Sequence, residues 1–207
     1  MYFHKIPTWV QALFKRYLWQ MPQASAELAV YLTFDDGPHP RITPWVLSQL
    51  AEFKAKATFF CIGKNVRLYP EVFQQIIGAG HSVGNHTQNH LKGRMCKNEV
   101  YLKDILDAGK VIDSKLFRPP YGSLKLSQAK MVEHLGYKIV LWSIIPGDWE
   151  QALDAQKCLE NVLFNLKPGD IVVLHDSEKA EQNMTYVLPR LLAFCKDKGW
   201  AVKSIEM

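Results

Sequence analysis

No stretch of this chain is long and apolar enough to span a bilayer as a helix, which excludes an integral helical membrane protein. The aromatic segment Tyr2 to Trp19, with Lys5, Lys15 and Arg16, is too short and too interrupted for a span, and it lacks the small-residue cleavage site of a secretory signal. No low-complexity segment, linker or fixed-period repeat interrupts the 207 residues, so one domain with a sizeable core is expected. Cysteine is scarce. Cys61, Cys96, Cys158 and Cys195 have no close spacing, and all but Cys96 fall in apolar contexts, so they read as reduced core thiols rather than a disulfide framework. No basic run points to nucleic acid, and a net charge of +5 reads as an ordinary solvated surface. Without an export signal the chain reads as cytoplasmic; membrane-surface attachment and export by another route stay open.

What is present is a series of chemistry-bearing residues at the ends of apolar segments. Leu28, Val30 and Leu32 alternate with smaller or more polar neighbours as far as Asp35-Asp36, where Gly37-Pro38 stops the ladder. The two acids therefore sit at a strand's carboxyl end. Successive side chains of an extended chain point to opposite sides, so one acid is placed to bind a cation while the other stays free. His86-Thr87-Gln88-Asn89-His90 sets two imidazoles four apart, and a helical turn opening at Thr87 would bring both onto one cation with Asp36. Alone, the acid pair reads as a capped turn and the histidine pair as a solvated helix face. Together they describe a metal site with positions left for water and substrate.

Three further segments end in the same way. Arg118-Pro119-Pro120-Tyr121-Gly122 follows the apolar Leu116-Phe117. Its prolines stiffen the turn and Gly122 lets backbone approach a ligand, while Arg118 suits a carboxylate partner and the Tyr121 backbone N–H a developing oxyanion. A strand read at Lys138 to Trp142 leads through Ser143-Ile144-Ile145-Pro146-Gly147 to Asp148-Trp149. Ile171-Val172-Val173-Leu174 is a continuous apolar run of the kind found in strands buried on both faces, and it ends in His175, placed for general acid work.

In this order the five segments resemble the polysaccharide deacetylase family, carbohydrate esterase family four, whose domain is also called the NodB homology domain. The matches are Thr33 to Pro38, His86 to His90, Arg118 to Gly122, Asp148-Trp149 and Val173-Leu174-His175. The resemblance implies Asp36, His86 and His90 as ligands of a divalent metal, Asp35 as general base and His175 as general acid. It also implies that Arg118 orients Asp35, that Asp148 supports His175, and that Pro119, Tyr121, Trp149 and Val173 contact substrate. Two positions depart from the family pattern. Its fourth segment commonly reads Asp-x-x-Asp-Trp, and Ile145 replaces the first acid; its fifth commonly reads Leu-x-His, and Val173 replaces the leucine. Two imidazoles and one carboxylate suit zinc, with cobalt, nickel and manganese as alternatives.

Strands are expected near 29–34, 56–61, 82–84, 116–118, 138–142, 170–174 and 200–205. Helices are expected to begin at Thr43-Pro44, with Thr43 as cap, and near Pro70, Asn98, Ser127, Asp154 and Asn183. Strict alternation implies parallel strands, and active residues at five separate strand ends favour a barrel over a doubly wound sheet. Seven strands in a short α/β chain suggest a distorted (β/α)7 barrel, the fold that the resemblance also implies. Residues 1–27 are expected to form a helical segment packed on the barrel and residues 28–207 the catalytic domain. The competing reading of the first segment is an interfacial membrane contact, and the burial of Trp9, Leu13, Phe14 and Trp19 discriminates the two.

The activity expected from these readings is metal-dependent removal of N-acetyl groups from N-acetylglucosamine residues of a glycan, peptidoglycan or chitin-like oligomers. A formamide or cyclic imide at the same metal site is the alternative that Ile145 raises, and a non-catalytic glycan-binding module is the third. All four cysteine thiols should react in the unfolded, unreduced protein; a count below four in a thiol titration would reveal a disulfide.

Overall fold

Strands and helices alternate along the computed structural model, which describes residues 3–23 and 28–206. Tyr2 and the expected boundary at residue 27 lie outside the described residues. In chain order the elements are α1 (Thr8–Leu13), β1 (Ala29–Asp35), α2 (Ile42–Glu52), β2 (Thr58–Cys61), α3 (Gly63–Leu68), α4 (Pro70–Gly78), β3 (Ser82–Asn85), α5 (Asn98–Gly109), β4 (Leu116–Phe117), α6 (Leu126–His134), β5 (Lys138–Ile139), α7 (Ala155–Leu163), β6 (Ile171–His175), α8 (Glu181–Asp197) and β7 (Ala201–Lys203). The seven strands form one parallel sheet in the order β5-β4-β3-β2-β1-β6, with β7 paired to β1. The fold is the expected distorted α/β barrel.

β1 pairs with three strands, β2, β6 and β7, and is buried along its whole length, on both faces, rather than alternating between core and solvent. The reason is the layer structure: helices cover the outer face of a parallel sheet while other strands close over the inner one. Val30, Leu32 and Phe34 join the outer core with Val46 and Leu50 of α2, Phe59 of β2 and Val172 and Leu174 of β6. Ala29 and Tyr31 belong to the inner cluster with Phe60, Leu116, Val140 and Ile171. The period of two therefore puts Thr33 and Asp35 on the inner side as well.

α2 starts two residues earlier than expected, with Arg41 and not Thr43 at the cap position. The Thr43 hydroxyl instead donates to the buried carboxylate of Asp176 and accepts from the backbone N–H of His39. Gly37 also belongs to this junction. A Cβ there would overlap the Asp176 carboxylate, whose Oδ1 accepts the Gly37 N–H at 3.0 Å.

The sheet does not close by a direct ladder between β5 and β6. Ile144 bridges to Val172, and the N-terminal segment fills the rest of the opening: Leu18 pairs with Val140, Gln20 with Asp170 and Lys5 with Ile144. This corrects the expectation of a packed N-terminal helix. α1 is a helix of six residues that buries none of them, with Trp9 63% and Leu13 69% exposed, Phe14 exposed and Trp19 half-buried. The segment is held by extended backbone instead. No helix among the described residues is long and apolar enough to cross a membrane.

Asp170 fastens this strap. Its fully buried carboxylate accepts from Lys5 Nζ at 2.5 Å, Gln20 Nε2 at 2.6 Å, Ser143 Oγ at 2.7 Å and the Lys167 N–H at 2.8 Å. Removing one partner of a buried ion pair leaves the other groups unpaired and costs about 3–5 kcal/mol. Asp170→Ala should lower the unfolding free energy by about 3 kcal/mol in urea denaturation. A loss below about 0.5 kcal/mol, the scale of an ordinary surface change, would show that the strap is not fastened there.

Candidate active site at the carboxyl ends of the strands

Asp35 is the last residue of β1, and the register places it beside His175, the last residue of β6. Arg118 follows β4 and reaches across the barrel interior to Asp35: its Nη1 donates to Asp35 Oδ1 and to Thr33 Oγ1, both at 2.7 Å. Its Nε and Nη2 donate to the carbonyls of Val140 and Leu141 at 3.3 and 3.0 Å. The guanidinium is fully buried, with its carbon 4.0 Å from the Phe60 ring centroid. Burial lowers its pKa and the Asp35 carboxylate opposes that shift.

Asp36 leaves the strand with φ at 81°, a left-handed conformation that turns its side chain towards the two histidines. Its Oδ1 lies 3.1 Å from His90 Nε2 and 3.7 Å from His86 Nε2. Yet this buried oxygen takes no hydrogen bond of acceptable geometry. Three donor atoms, one each from Asp36, His86 and His90, lie within 4.8 Å of one another, an arrangement that fits three groups sharing one cation. Although burial opposes it, the His90, His175 and His86 imidazoles hold the Asp36 carboxyl well below its usual range.

The histidine pair is not on a helical turn, as the spacing predicts, but on an irregular loop after β3. Thr87 and His90 have φ at 66° and 57°. Asp104 of α5 holds that loop. Its Oδ2 accepts the N–H groups of Gln88 and Asn89 at 3.0 Å each, and its Oδ1 accepts from Asn89 Nδ2. Asn85 Oδ1 accepts the Thr87 N–H at 2.8 Å. Asp104 escapes sequence reasoning, because a side-chain acceptor for a loop fifteen residues away leaves no local pattern. His86 Nδ1 lies 2.8 Å from the Arg118 carbonyl, which can only accept, so Nδ1 carries the proton and Nε2 keeps its lone pair for a metal. Burial drives the His86 pKa down to about 4, favouring this neutral form.

His175 has the opposite environment. Burial alone would lower its pKa, but Asp148 accepts from its Nδ1 at 2.9 Å and from its backbone N–H at 2.7 Å, and the imidazole is pushed up to about 9. Trp149 packs edge-on against it with centroids 5.0 Å apart. Tyr121, with φ at 59° and its ring 4.7 Å from that of His90, forms another side of the site. Gly122, at φ 60°, lies against the Trp142 ring, 3.2 Å from where its Cβ would be.

The cavity over these residues has a volume of about 430 Å³. It brings together Asp35, Asp36, His86, His90, Tyr121, Trp149, Val173 and His175. Arg118 and Asp148 act from behind this surface, and Pro119 and Pro120 form the turn that presents Tyr121. Phe3, Ile6, Trp142, Ile145 and Lys179 also line the cavity. Asp148→Asn should bring the His175 pKa down from about 9, because its main raising partner is gone while burial remains and only the more distant Asp36 and Asp35 still oppose it. Protonation of the ring would then be lost at lower pH. NMR titration of the imidazole in the metal-free protein measures this, and an unchanged midpoint would refute the pairing.

The polysaccharide deacetylase family model matches residues 23–140. A Bacillus cereus protein named peptidoglycan-N-acetylglucosamine deacetylase is 38% identical over 195 residues, 91% of this chain and 90% of that one. A chitooligosaccharide deacetylase of Azorhizobium caulinodans is 37% identical over 155 residues, 72% of this chain and 73% of its own. The crystal structure of a peptidoglycan N-acetylglucosamine deacetylase in complex with 4-naphthalen-1-yl-N-oxidanyl-benzamide superposes with a TM-score of 0.86 at 29% identity, covering 94% of each chain. By sequence and by fold, this chain belongs to the polysaccharide deacetylase family.

Proposed function

We propose that the chain removes the acetyl group from N-acetylglucosamine units of a glycan, by attack of water on the amide carbonyl. The observation that carries this reading is the pairing of two groups with opposite partners at neighbouring strand ends. Asp35 is clamped by the Arg118 guanidinium, and His175 is held by the Asp148 carboxylate, with Asp36, His86 and His90 beside them. The names of the relatives, peptidoglycan and chitooligosaccharide deacetylases, support the substrate class.

A divalent cation held by Asp36, His86 and His90 supplies Lewis acidity, polarising the carbonyl and lowering the pKa of water. Zinc suits that donor set first. Asp35 is the general base: Arg118 occupies its Oδ1, and Oδ2, 4.0 Å from His86 Nε2, accepts the proton of the attacking water. The backbone N–H of Tyr121 is assigned to the developing oxyanion. Asp148 engages His175 Nδ1, so the Nε2–H is left to protonate the departing nitrogen, and the products are acetate and a free amine. Val173 and Trp149 give the acetyl methyl an apolar surround. Ile145, apolar where the family pattern has an acid, keeps a formamide or imide substrate as the second reading.

Acetate release from β-1,4-linked N-acetylglucosamine oligomers and from peptidoglycan, with each divalent metal in turn, tests the proposal. Asp35→Asn should retain the metal and lose at least about a hundredfold in kcat, the lower end for a positioned proton transfer. Asp36→Asn, His86→Ala and His90→Ala should instead weaken metal binding itself, read by calorimetry. Equal turnover by wild type and Asp35→Asn at saturating metal would remove the base assignment. Release of formate or imide cleavage without any acetate would establish the second reading.

A further inference from the structure

We propose that the N-terminal strap is a wall of the active-site cavity, and that Phe3 is a specificity-determining residue that holds the sugar unit next to the one being deacetylated. The inference rests on the glycan reading above. Residues 4–6 pair antiparallel with residues 143–145: Ile6 donates its N–H to the Ser143 carbonyl at 2.8 Å, and the Ile145 N–H donates to the His4 carbonyl at 2.9 Å. The ion pair from Lys5 to buried Asp170 fixes the strand from its other side. This docking carries Phe3 and Ile6 into the cavity lining beside Ile145 and Trp142.

The three side chains that this docking sets together, Phe3, Ile6 and Ile145, are apolar. Ile145 stands where the family pattern has a carboxylate, so this side offers no acid to accept hydrogen bonds from sugar hydroxyls, and Phe3 and Ile6 extend the same character outwards. A pyranose ring presents hydroxyls at its edge and C–H groups on its faces. An aromatic ring is the partner for such a face, combining large contact area with little conformational entropy. Phe3 is 58% exposed while lining the cavity, which places it at the rim, whereas the groups that act on the amide lie at the buried strand ends. Its ring has nothing polar to offer the reacting amide. A cavity of about 430 Å³ leaves room beyond one acetamide. The rim contact therefore belongs to the neighbouring unit.

The test uses the full chain and compares the N-acetylglucosamine monosaccharide, which has no neighbouring unit, with the oligomer of four units. In wild type, kcat/KM should rise from monosaccharide to tetramer. In Phe3→Ala that ratio should fall about fivefold, through KM for the tetramer and not kcat, the size of one lost aromatic contact. Phe3→Tyr should restore the ratio. An unchanged ratio in Phe3→Ala, an equal loss on both substrates, or a wild type indifferent to length would each overturn the proposal. Calorimetric binding of the tetramer to wild type and to Phe3→Ala reads the wall without turnover. Equal affinities overturn the wall whatever the catalytic result, whereas weaker binding to the variant without any acetate release would support the wall and reject the deacetylase reading.

Discussion

The buried ion pair between Arg118 and Asp35 is the constraint on which the site depends. Both side chains are withdrawn from water, so their desolvation must be offset by near-ideal geometry and by partners for each guanidinium nitrogen. Arg118 meets that condition by donating to Thr33 and Asp35 on β1 and to the carbonyls of Val140 and Leu141 just after β5, while lying over Phe60 of β2. One planar, permanently charged group thus fixes the relative positions of β1 and the chain beyond β5. A lysine, with a single ammonium point, lacks the fork that makes these contacts together. The Arg118 carbonyl also sets the tautomer of His86, so the same residue orients both Asp35 and His86.

The site distinguishes Asp35 and His175 by environment rather than by distance. They share a register position on adjacent strands, yet each has a buried partner of opposite charge behind it, Arg118 for the one and Asp148 for the other. The Asp148 partner raises the His175 pKa against the effect of burial. The third group, Asp36 with His86 and His90, is arranged by loop geometry instead. Two residues with positive φ and the Asp104 carboxylate hold the imidazoles in place, and neutral His86 keeps a lone pair for a cation.

The strap shows how a barrel that does not close by its own strands can use its opening. Between β5 and β6 the backbone groups need partners, and the N-terminal segment supplies them through Lys5, Leu18 and Gln20. The geometry that satisfies those groups also delivers two apolar side chains to the cavity. Closure of the fold and the shape of the site are thus one problem with one solution.

Local pattern was enough for much of this protein. The alternation of strand and helix signals, the acids before Gly37-Pro38, the histidines at 86 and 90 and the imidazole ending the run Ile171–Leu174 are short-range features, and they specify a parallel α/β fold with a metal-type site at its strand ends. What local pattern cannot encode is a partner distant in the chain. The hold of Asp104 on the histidine loop, of Asp170 on the strap and of Asp176 on Gly37 joins residues that meet only when the sheet is assembled. The N-terminal segment shows the limit most clearly. Its aromatic and basic residues read first as a packed helix and second as a membrane-surface contact, and its conformation was decided by unpaired backbone between β5 and β6, which exists only in the folded barrel.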